Sequence, residues 1–195
     1  MTAAETIDDG RIALDLPLKG TRKYLHSTNI LSELIARFSI TGPVKLEFRQ
    51  MIYHPIYLLP DGPEVPNRVG KFSFKEGDSS RSFGIYVDES RKITGHIDDH
   101  EPEIIAASKR DGDKFHGVID HPGNFINTIV ALNKTVVGTH MGADKKAIFT
   151  TLILDAIPDK GEIGIELIKK MGTKIYVSDV IWNKAKIGSL TFMAV

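Results

Sequence analysis

The sequence predicts an α+β protein built from two similar parts, each with one helix and a group of antiparallel strands. Two observations support this class. In residues 147–195, apolar residues alternate in four runs separated by turn residues, which indicates short antiparallel strands. Residues 123–138 instead place apolar side chains at spacings of three, four and seven, which favours a helix.

The C-terminal strands are the clearest elements. Residues 158–161 and Asn183–Lys184 carry the Pro, Gly, Asp and Asn residues that favour turns. Short links between successive strands are typical of an antiparallel meander, in which each strand pairs with the next. The strands are predicted at residues 147–157, 161–170, 173–182 and 185–195.

The N-terminal part repeats this plan more loosely. Residues 29–38 are predicted as a helix, because apolar residues recur at helical spacing after a capping residue, Thr28 or Asn29. Strands are predicted around this helix at residues 10–18, 44–52, 53–59, 68–75, 81–87 and 92–97.

The polar stretch between the two parts sets the expected domain boundaries. We expect an N-terminal unit at residues 10–98, a connector at 99–112 that holds a short helix, and a C-terminal unit at 113–195. At 195 residues the chain is long enough to bury a sizeable core, so the two units are expected to pack as one globular domain.

Composition excludes several classes of protein. The chain has 25 Lys+Arg and 25 Asp+Glu, and this zero net charge gives no electrostatic case for binding nucleic acid. It has no cysteine, which excludes a disulfide framework, a thiol nucleophile and a Cys-ligated metal. No long apolar run is present and the N-terminus is acidic, so we expect neither a membrane span nor a signal peptide. A cytoplasmic monomer or homodimer is therefore expected.

The order of one helix followed by four antiparallel strands resembles the hot-dog fold, in which a curved sheet wraps around a central helix. The resemblance is closest for residues 113–195 and weaker for residues 10–98. Its occurrence twice implies two hot-dog units fused in one chain, a double hot-dog. Many proteins of this fold act on acyl groups carried as thioesters, so the resemblance implies acyl-CoA or an acyl carrier protein as partner and requires no cofactor.

The segment that enters the second predicted helix carries the candidate chemistry. It resembles the Asp-x-x-Gly-His-Val-Asn-Asn motif of one branch of hot-dog thioesterases, and Asp120, Gly123 and Asn127 match that motif. The resemblance implies that Asp120 is the nucleophile or general base and that the N–H groups of Gly123 and Asn124 polarise the thioester carbonyl. Donors at a helix start suit such an oxyanion. Asp before a helix also commonly caps the backbone, and that alternative stays open.

The same segment suggests a second reaction. His121-Pro122-Gly123 resembles the His-aromatic-Pro-Gly entry of hydroxyacyl-carrier-protein dehydratases, although the aromatic residue is missing. Those enzymes also need an acid on the helix, and no Asp or Glu occurs between Asp120 and Asp144. Dehydration therefore ranks below hydrolysis or binding. In hydrolysis or acyl transfer, His121 is a second candidate for the base or nucleophile.

The start of the first predicted helix holds the equivalent position in the N-terminal part. His26 is a candidate acid–base residue that would assist from the opposing half, and Tyr24 is a candidate hydrogen-bonding residue. A His at a helix start also often serves as a cap. The candidate substrate-binding residues are Gly123, Asn124, Asn127, Tyr24, His54 and His116.

Two other functions are alternatives to an acyl-thioester enzyme. His96 and His100 are four residues apart and could bind a metal on a helix, but the strand pattern before them and Pro102 after them argue against one, so no metal site is predicted. A non-catalytic module that binds a lipid or small metabolite in the same pocket remains the alternative function. The chain has no Gly-x-Ser-x-Gly elbow, no Walker loop and no Gly-x-Gly-x-x-Gly run.

Overall fold

A computed structural model describes residues 10–62, 66–112, 114–119, 124–142 and 144–195. The chain divides into two compact units. Among the described residues, unit 1 contains residues up to 40 together with those from 45 to 99, and unit 2 contains residues 41–44 and those from 100 to 195. No helix within these described ranges has the length and apolar character that a membrane crossing requires.

Unit 1 combines one long helix with an antiparallel sheet in the order β1-β4-β6-β5-β3 and a separate two-stranded parallel ribbon formed by β2 and β7. Its elements are β1 (Ile12–Leu14), β2 (Leu18–Lys19), α1 (Ser27–Phe38), β3 (Val44–Phe48), β4 (Ile56–Pro60), β5 (Arg68–Glu76), β6 (Ser79–Val87) and β7 (His96–Ile97).

Helix α1 begins two residues earlier than the sequence predicts. The carbonyl of His26 accepts the N–H groups of both Asn29 and Ile30, so the first turn forms around His26. Thr28 therefore lies inside the helix, and the predicted cap at Thr28 or Asn29 is wrong. At the other end, Ser39 adopts a left-handed conformation with φ of 51°, a common way for a helix to terminate.

An aromatic cluster fixes α1 on the sheet of unit 1. The ring of Phe38, the last residue of α1, lies 6.1 Å from Phe72, 5.1 Å from Phe74 and 5.3 Å from Phe83 between ring centroids. These distances are typical of favourable aromatic pairs. These ring contacts and the buried apolar face of α1 hold the helix against the sheet. Because the helix is rigid, its start also has a defined position over the sheet.

The predicted strands of unit 1 are mostly found but several are shorter. Pro17 lies between β1 and β2, and Pro55 lies just before β4; a proline cannot donate a hydrogen bond to a strand pairing, so long strands end near it. The run predicted at residues 92–97 is reduced to the two residues of β7.

Unit 2 has the hot-dog arrangement. Helix α3 packs against all of the strands from β9 to β13, and every strand pairing in the unit is antiparallel, in the order β10-β13-β12-β11-β9-β8. The predicted α+β class, with an antiparallel sheet wrapped around a central helix, is confirmed. The fused double hot-dog stays a prediction. The elements of unit 2 are α2 (Glu101–Ala106), β8 (Lys109–Asp111), β9 (Lys114–Ile119), α3 (Phe125–Gly138), β10 (Ala147–Leu154), β11 (Gly161–Met171), β12 (Ile175–Trp182) and β13 (Ala185–Ala194).

The predicted four-strand meander is wrong in one respect. Strands β11, β12 and β13 pair in succession, but β10 pairs with β13, with Leu152 opposite Leu190, and not with β11. Local alternation of apolar residues identifies a strand but does not encode its neighbour. Residues 155–160 therefore form a crossing link rather than a hairpin turn.

Close approach of β9 explains how α3 is held inside the sheet. A Cβ atom on Gly117 would lie 3.2 Å from Leu132 Cδ1 and 3.3 Å from Thr128 Cγ2, so glycine lets this strand lie directly against the helix. Ile129 and Leu132 of α3 are fully buried. This burial compensates for the β-branched residues that would weaken α3 in isolation.

Candidate functional site

A buried polar cluster surrounds the start of α1 in unit 1. His26 is 9% exposed and Thr28 only 1%. The ring Nδ1 of His26 lies 2.8 Å from the hydroxyl oxygen of Thr28. Because the His26 carbonyl also accepts the N–H groups of the first helical turn, both the backbone and the ring of this residue are fixed by α1. We call the group the α1-entry cluster; its members are Lys19, Arg22, His26, Thr28 and Asp99.

Lys19 is the least expected member of the cluster, since a lysine is seldom buried without a partner. It lies on β2 and is 5% exposed. Its Nζ lies 3.5 Å from the Thr28 hydroxyl and 3.6 Å from Oδ1 of Asp99, while Arg22 Nη1 lies 2.5 Å from the other Asp99 oxygen. Two cations thus share one carboxylate close to the hydroxyl.

The hydrogen bond between His26 and Thr28 is compatible with either tautomer of the ring. A lysine ammonium only donates, so Thr28 accepts from Lys19. The Thr28 hydroxyl has one proton to donate and a second lone pair to accept with, at 2.8 Å from His26 Nδ1. Where Thr28 donates to Nδ1, the neutral ring carries its proton on Nε2.

Tyr24 lies beside this imidazole. The two ring centroids are 6.5 Å apart, and on its other side Tyr24 makes an edge contact with Tyr53 at 6.4 Å. Tyr24 is half-buried and Tyr53 is exposed. The structure therefore brings Tyr24 and His26 together within unit 1.

The candidates at the start of α3 are only partly described. Asp120, His121 and Gly123 lie outside the described residues, so their predicted roles stay predictions. Asn124 is exposed immediately before α3, where its side chain does not cap the helix, and Asn127 is half-buried in the first turns.

The two remaining histidine candidates lie elsewhere. His54 is half-buried with Nδ1 3.5 Å from the backbone carbonyl oxygen of Arg91 in unit 1. His116 is exposed on β9 of unit 2, and its ring lies over Gly164 of the neighbouring strand β11.

His96 and His100 lie in different surroundings. His96 lies on β7 with Nδ1 3.0 Å from the carbonyl of Gly20, whereas His100 precedes α2 with Nδ1 4.0 Å from a carboxylate oxygen of Glu103. Across the described part of the chain, no group of three or more His, Asp and Glu side chains is arranged to hold a metal ion.

Sequence reasoning selected His26 and Tyr24 but missed Lys19, Arg22 and Asp99. Thr28 was considered only as a helix cap. Arg22 and Asp99 are 77 residues apart, and β2 and β7 bring them together by pairing Lys19 with Ile97. In the sequence, Lys19 begins a short polar run between the apolar Leu18 and Tyr24. Such runs are too common to indicate a buried lysine.

Comparison with known proteins gives distant structural likenesses. A provisional thioesterase II from Thermobifida fusca has a TM-score of 0.49 and 12% identity, covering 94% of this chain and 91% of that one. The TesB protein of Mycobacterium avium subspecies paratuberculosis has a TM-score of 0.49 and 8% identity, with the same coverages. A bifunctional dehydratase-cyclase domain from ambruticin biosynthesis has a TM-score of 0.48 and 12% identity, covering 99% and 93%.

No protein-family model matches the chain, and no curated protein matches it either. The assignment of the hot-dog fold accordingly rests on the topology of unit 2, in which one helix packs against an antiparallel sheet.

Proposed function

We propose that this chain binds an acyl thioester, carried on coenzyme A or on an acyl carrier protein, and hydrolyses it or transfers its acyl group. The observation that carries the proposal is the chain of hydrogen bonds from Lys19 through Thr28 to His26. It fixes the imidazole ring in a buried position close to two cations and one carboxylate. The hot-dog arrangement of unit 2 supports the choice of a thioester, as an analogy of fold.

The α1-entry cluster suits the step in which a thioester carbonyl becomes negatively charged. When water or an acceptor hydroxyl attacks the carbonyl carbon, negative charge develops on the carbonyl oxygen, and a donor such as His26 Nε2–H stabilises it. Collapse of the adduct breaks the carbon–sulfur bond and releases the acid or ester and a thiol. Lys19 and Arg22 favour this charge through space, while Asp99 keeps both cations in place.

In the segment that precedes α3, Asp120 and His121 are proposed as base or nucleophile. Gly123 and Asn124 are proposed as oxyanion donors, and Asn127, Tyr24, His54 and His116 as substrate contacts. Each of these roles can be tested by a single substitution in the same assay.

The decisive experiment measures thiol release from a series of acyl-CoA and acyl-carrier-protein thioesters. We expect turnover by the wild type and a loss of about 10²–10³-fold in kcat for His26→Leu, which removes the imidazole and leaves no N–H donor on this side chain. Thr28→Val should lower kcat in the same direction, while Thr28→Ser, which keeps the hydroxyl, should retain most of the activity. Asp120→Asn and His121→Ala then test the proposed base.

The outcomes separate the proposal from its alternatives. Absence of thiol release with every thioester would overturn it. If 3-hydroxyacyl thioesters are converted to enoyl thioesters with no thiol released, the chain is a dehydratase. If thioesters bind without any chemical change, the chain is a binding module. Unchanged kcat in His26→Leu would remove the α1-entry cluster from the mechanism.

A further inference from the structure

None of the residues used in the proposed function lines a surface pocket of about 340 Å³ in unit 1. Its apolar wall is formed by Leu16, Pro55 and Ile93, of which Pro55 is buried and the other two are half-buried. Small-molecule sites begin at roughly this size, and they combine an apolar wall with a few polar groups. The pocket is therefore large enough for a short organic molecule.

Charged side chains form the rest of the pocket lining. Arg91 and Lys92 are cationic and Asp15 is anionic, so the lining carries one net positive charge. Arg91 Nη2 lies 2.7 Å from Asp15 Oδ1, and both side chains of this ion pair are about half exposed. Exposed pairs of this kind are weak, because water and salt compete with them. Arg91 can therefore exchange the carboxylate of Asp15 for that of a ligand.

The backbone around Arg91 is fixed, although its side chain is exposed. The N–H of Arg91 donates to the carbonyl of Asp88 at 3.3 Å, and the N–H of Asp88 donates to the carbonyl of Pro55 at 2.8 Å. The Asp88 side chain accepts the N–H of Ser90 at 3.1 Å, which closes the turn. The carbonyl of Arg91 lies 3.5 Å from His54 Nδ1. The backbone on this side of the pocket is thus held in place without a ligand, which lowers the entropic cost of binding.

We propose that this pocket binds a small amphipathic anion. The short apolar chain of the ligand packs against Leu16, Pro55 and Ile93. Its carboxylate or phosphate group pairs with Arg91 in place of Asp15 and lies close to Lys92. When no ligand is bound, Asp15 forms the ion pair with Arg91, so its carboxylate competes with the anionic group of the ligand. This site is independent of the thioester chemistry proposed for the α1-entry cluster and does not require it.

The test is a titration of the wild-type protein with matched probes. Calorimetry measures the affinity, and changes in amide chemical shifts locate the binding site. Hexanoate and hexanol differ only in charge at one end, while hexanoate and acetate differ in the apolar chain. We expect hexanoate to bind about tenfold tighter than either, with shifts at Leu16 and Ile93. Hexyl phosphate compared with hexanoate shows which anion the pocket prefers.

Two substitutions should change hexanoate affinity in opposite directions. Arg91→Gln removes the cation and should weaken binding about tenfold. Asp15→Asn removes the competitor and should strengthen binding several-fold, a result that no merely structural role of Asp15 would give. Lys75→Gln, which removes an exposed cation from β5 outside the pocket, is the matched control and should have no effect.

Four results would overturn the proposal. The first is equal affinity for hexanoate and hexanol, the second is unchanged affinity in Arg91→Gln, and the third is weaker or unchanged binding in Asp15→Asn. Chemical shifts confined to residues outside the pocket would also reject it. Because no turnover is measured, these outcomes are unaffected by the result of the thioester assay.

Discussion

At the scale of single residues, the chain contains buried polar groups of two kinds. In the α1-entry cluster, Lys19, Thr28 and His26 satisfy one another through hydrogen bonds. Asn133 of α3 is different: it is fully buried, and among the described residues neither atom of its amide has a hydrogen-bond partner. A buried amide without a partner destabilises the folded state, because its hydrogen bonds to water are lost and not replaced.

We expect Asn133→Leu to stabilise the protein. Leucine has a similar size and needs no hydrogen bond, so the free energy of unfolding should rise by about 1–3 kcal/mol. Thermal and urea unfolding measure the change. Leu132→Asn, at the neighbouring fully buried position, is the matched control and should lower stability. A lower Tm for Asn133→Leu would show that the amide makes a stabilising contact.

At the scale of secondary-structure elements, Asp61 connects three strands of unit 1. It follows β4 directly, and its carboxylate lies 2.9 Å from Arg68 Nη2 and 2.5 Å from Lys71 Nζ, both on β5. Ser82 of β6 donates its hydroxyl to the same carboxylate at 3.1 Å. One side chain thus joins the end of β4 to the two strands of the β5–β6 hairpin.

These contacts predict how unit 1 responds to acid. The hydrogen bond from Lys71 lowers the pKa of Asp61, with help from Ser82 and the positive charge of Arg68, against an opposing effect of burial. A carboxyl whose pKa is lowered by folding stabilises the protein above its unfolded pKa of about 3.9, and this contribution is lost as the pH falls through the lower, folded value.

We therefore expect the wild type to lose stability below pH of about 4 more steeply than Asp61→Asn, whose side chain does not titrate. Urea unfolding at a series of pH values measures both slopes. At neutral pH the variant should be less stable than the wild type, and the difference should shrink in acid. Glu76→Gln, at an exposed carboxylate on β5, is the control. Parallel curves for Asp61→Asn and the wild type would contradict the assignment.

At the scale of the whole molecule, the sequence predicts where helices and strands form better than it predicts which strands pair with each other. The apolar spacing in residues 123–138 and the alternation after residue 147 depend on adjacent residues, and α3 and β10 to β13 are found where these patterns lie. The pairing of β10 with β13 depends on which strands meet after collapse, and no local pattern carries that information. The same limit explains why His26 could be selected from the sequence while Lys19 and Asp99 could not.

The absence of cysteine from the chain allows a direct test of this strand order. Ile153 of β10 lies opposite Ser189 of β13, and directly opposed residues of antiparallel strands are close enough for a disulfide, with Cα atoms about 4.5–5.5 Å apart. We expect the double variant I153C/S189C to form an intramolecular disulfide on oxidation, detected by peptide mapping, and to resist thermal unfolding better than its reduced form. The predicted meander, with strands at residues 147–157 and 161–170, would instead place Ile153 opposite Ile165, so I153C/I165C is the matched pair. Cross-linking of that second pair with none in the first would mean that β10 adjoins β11 after all.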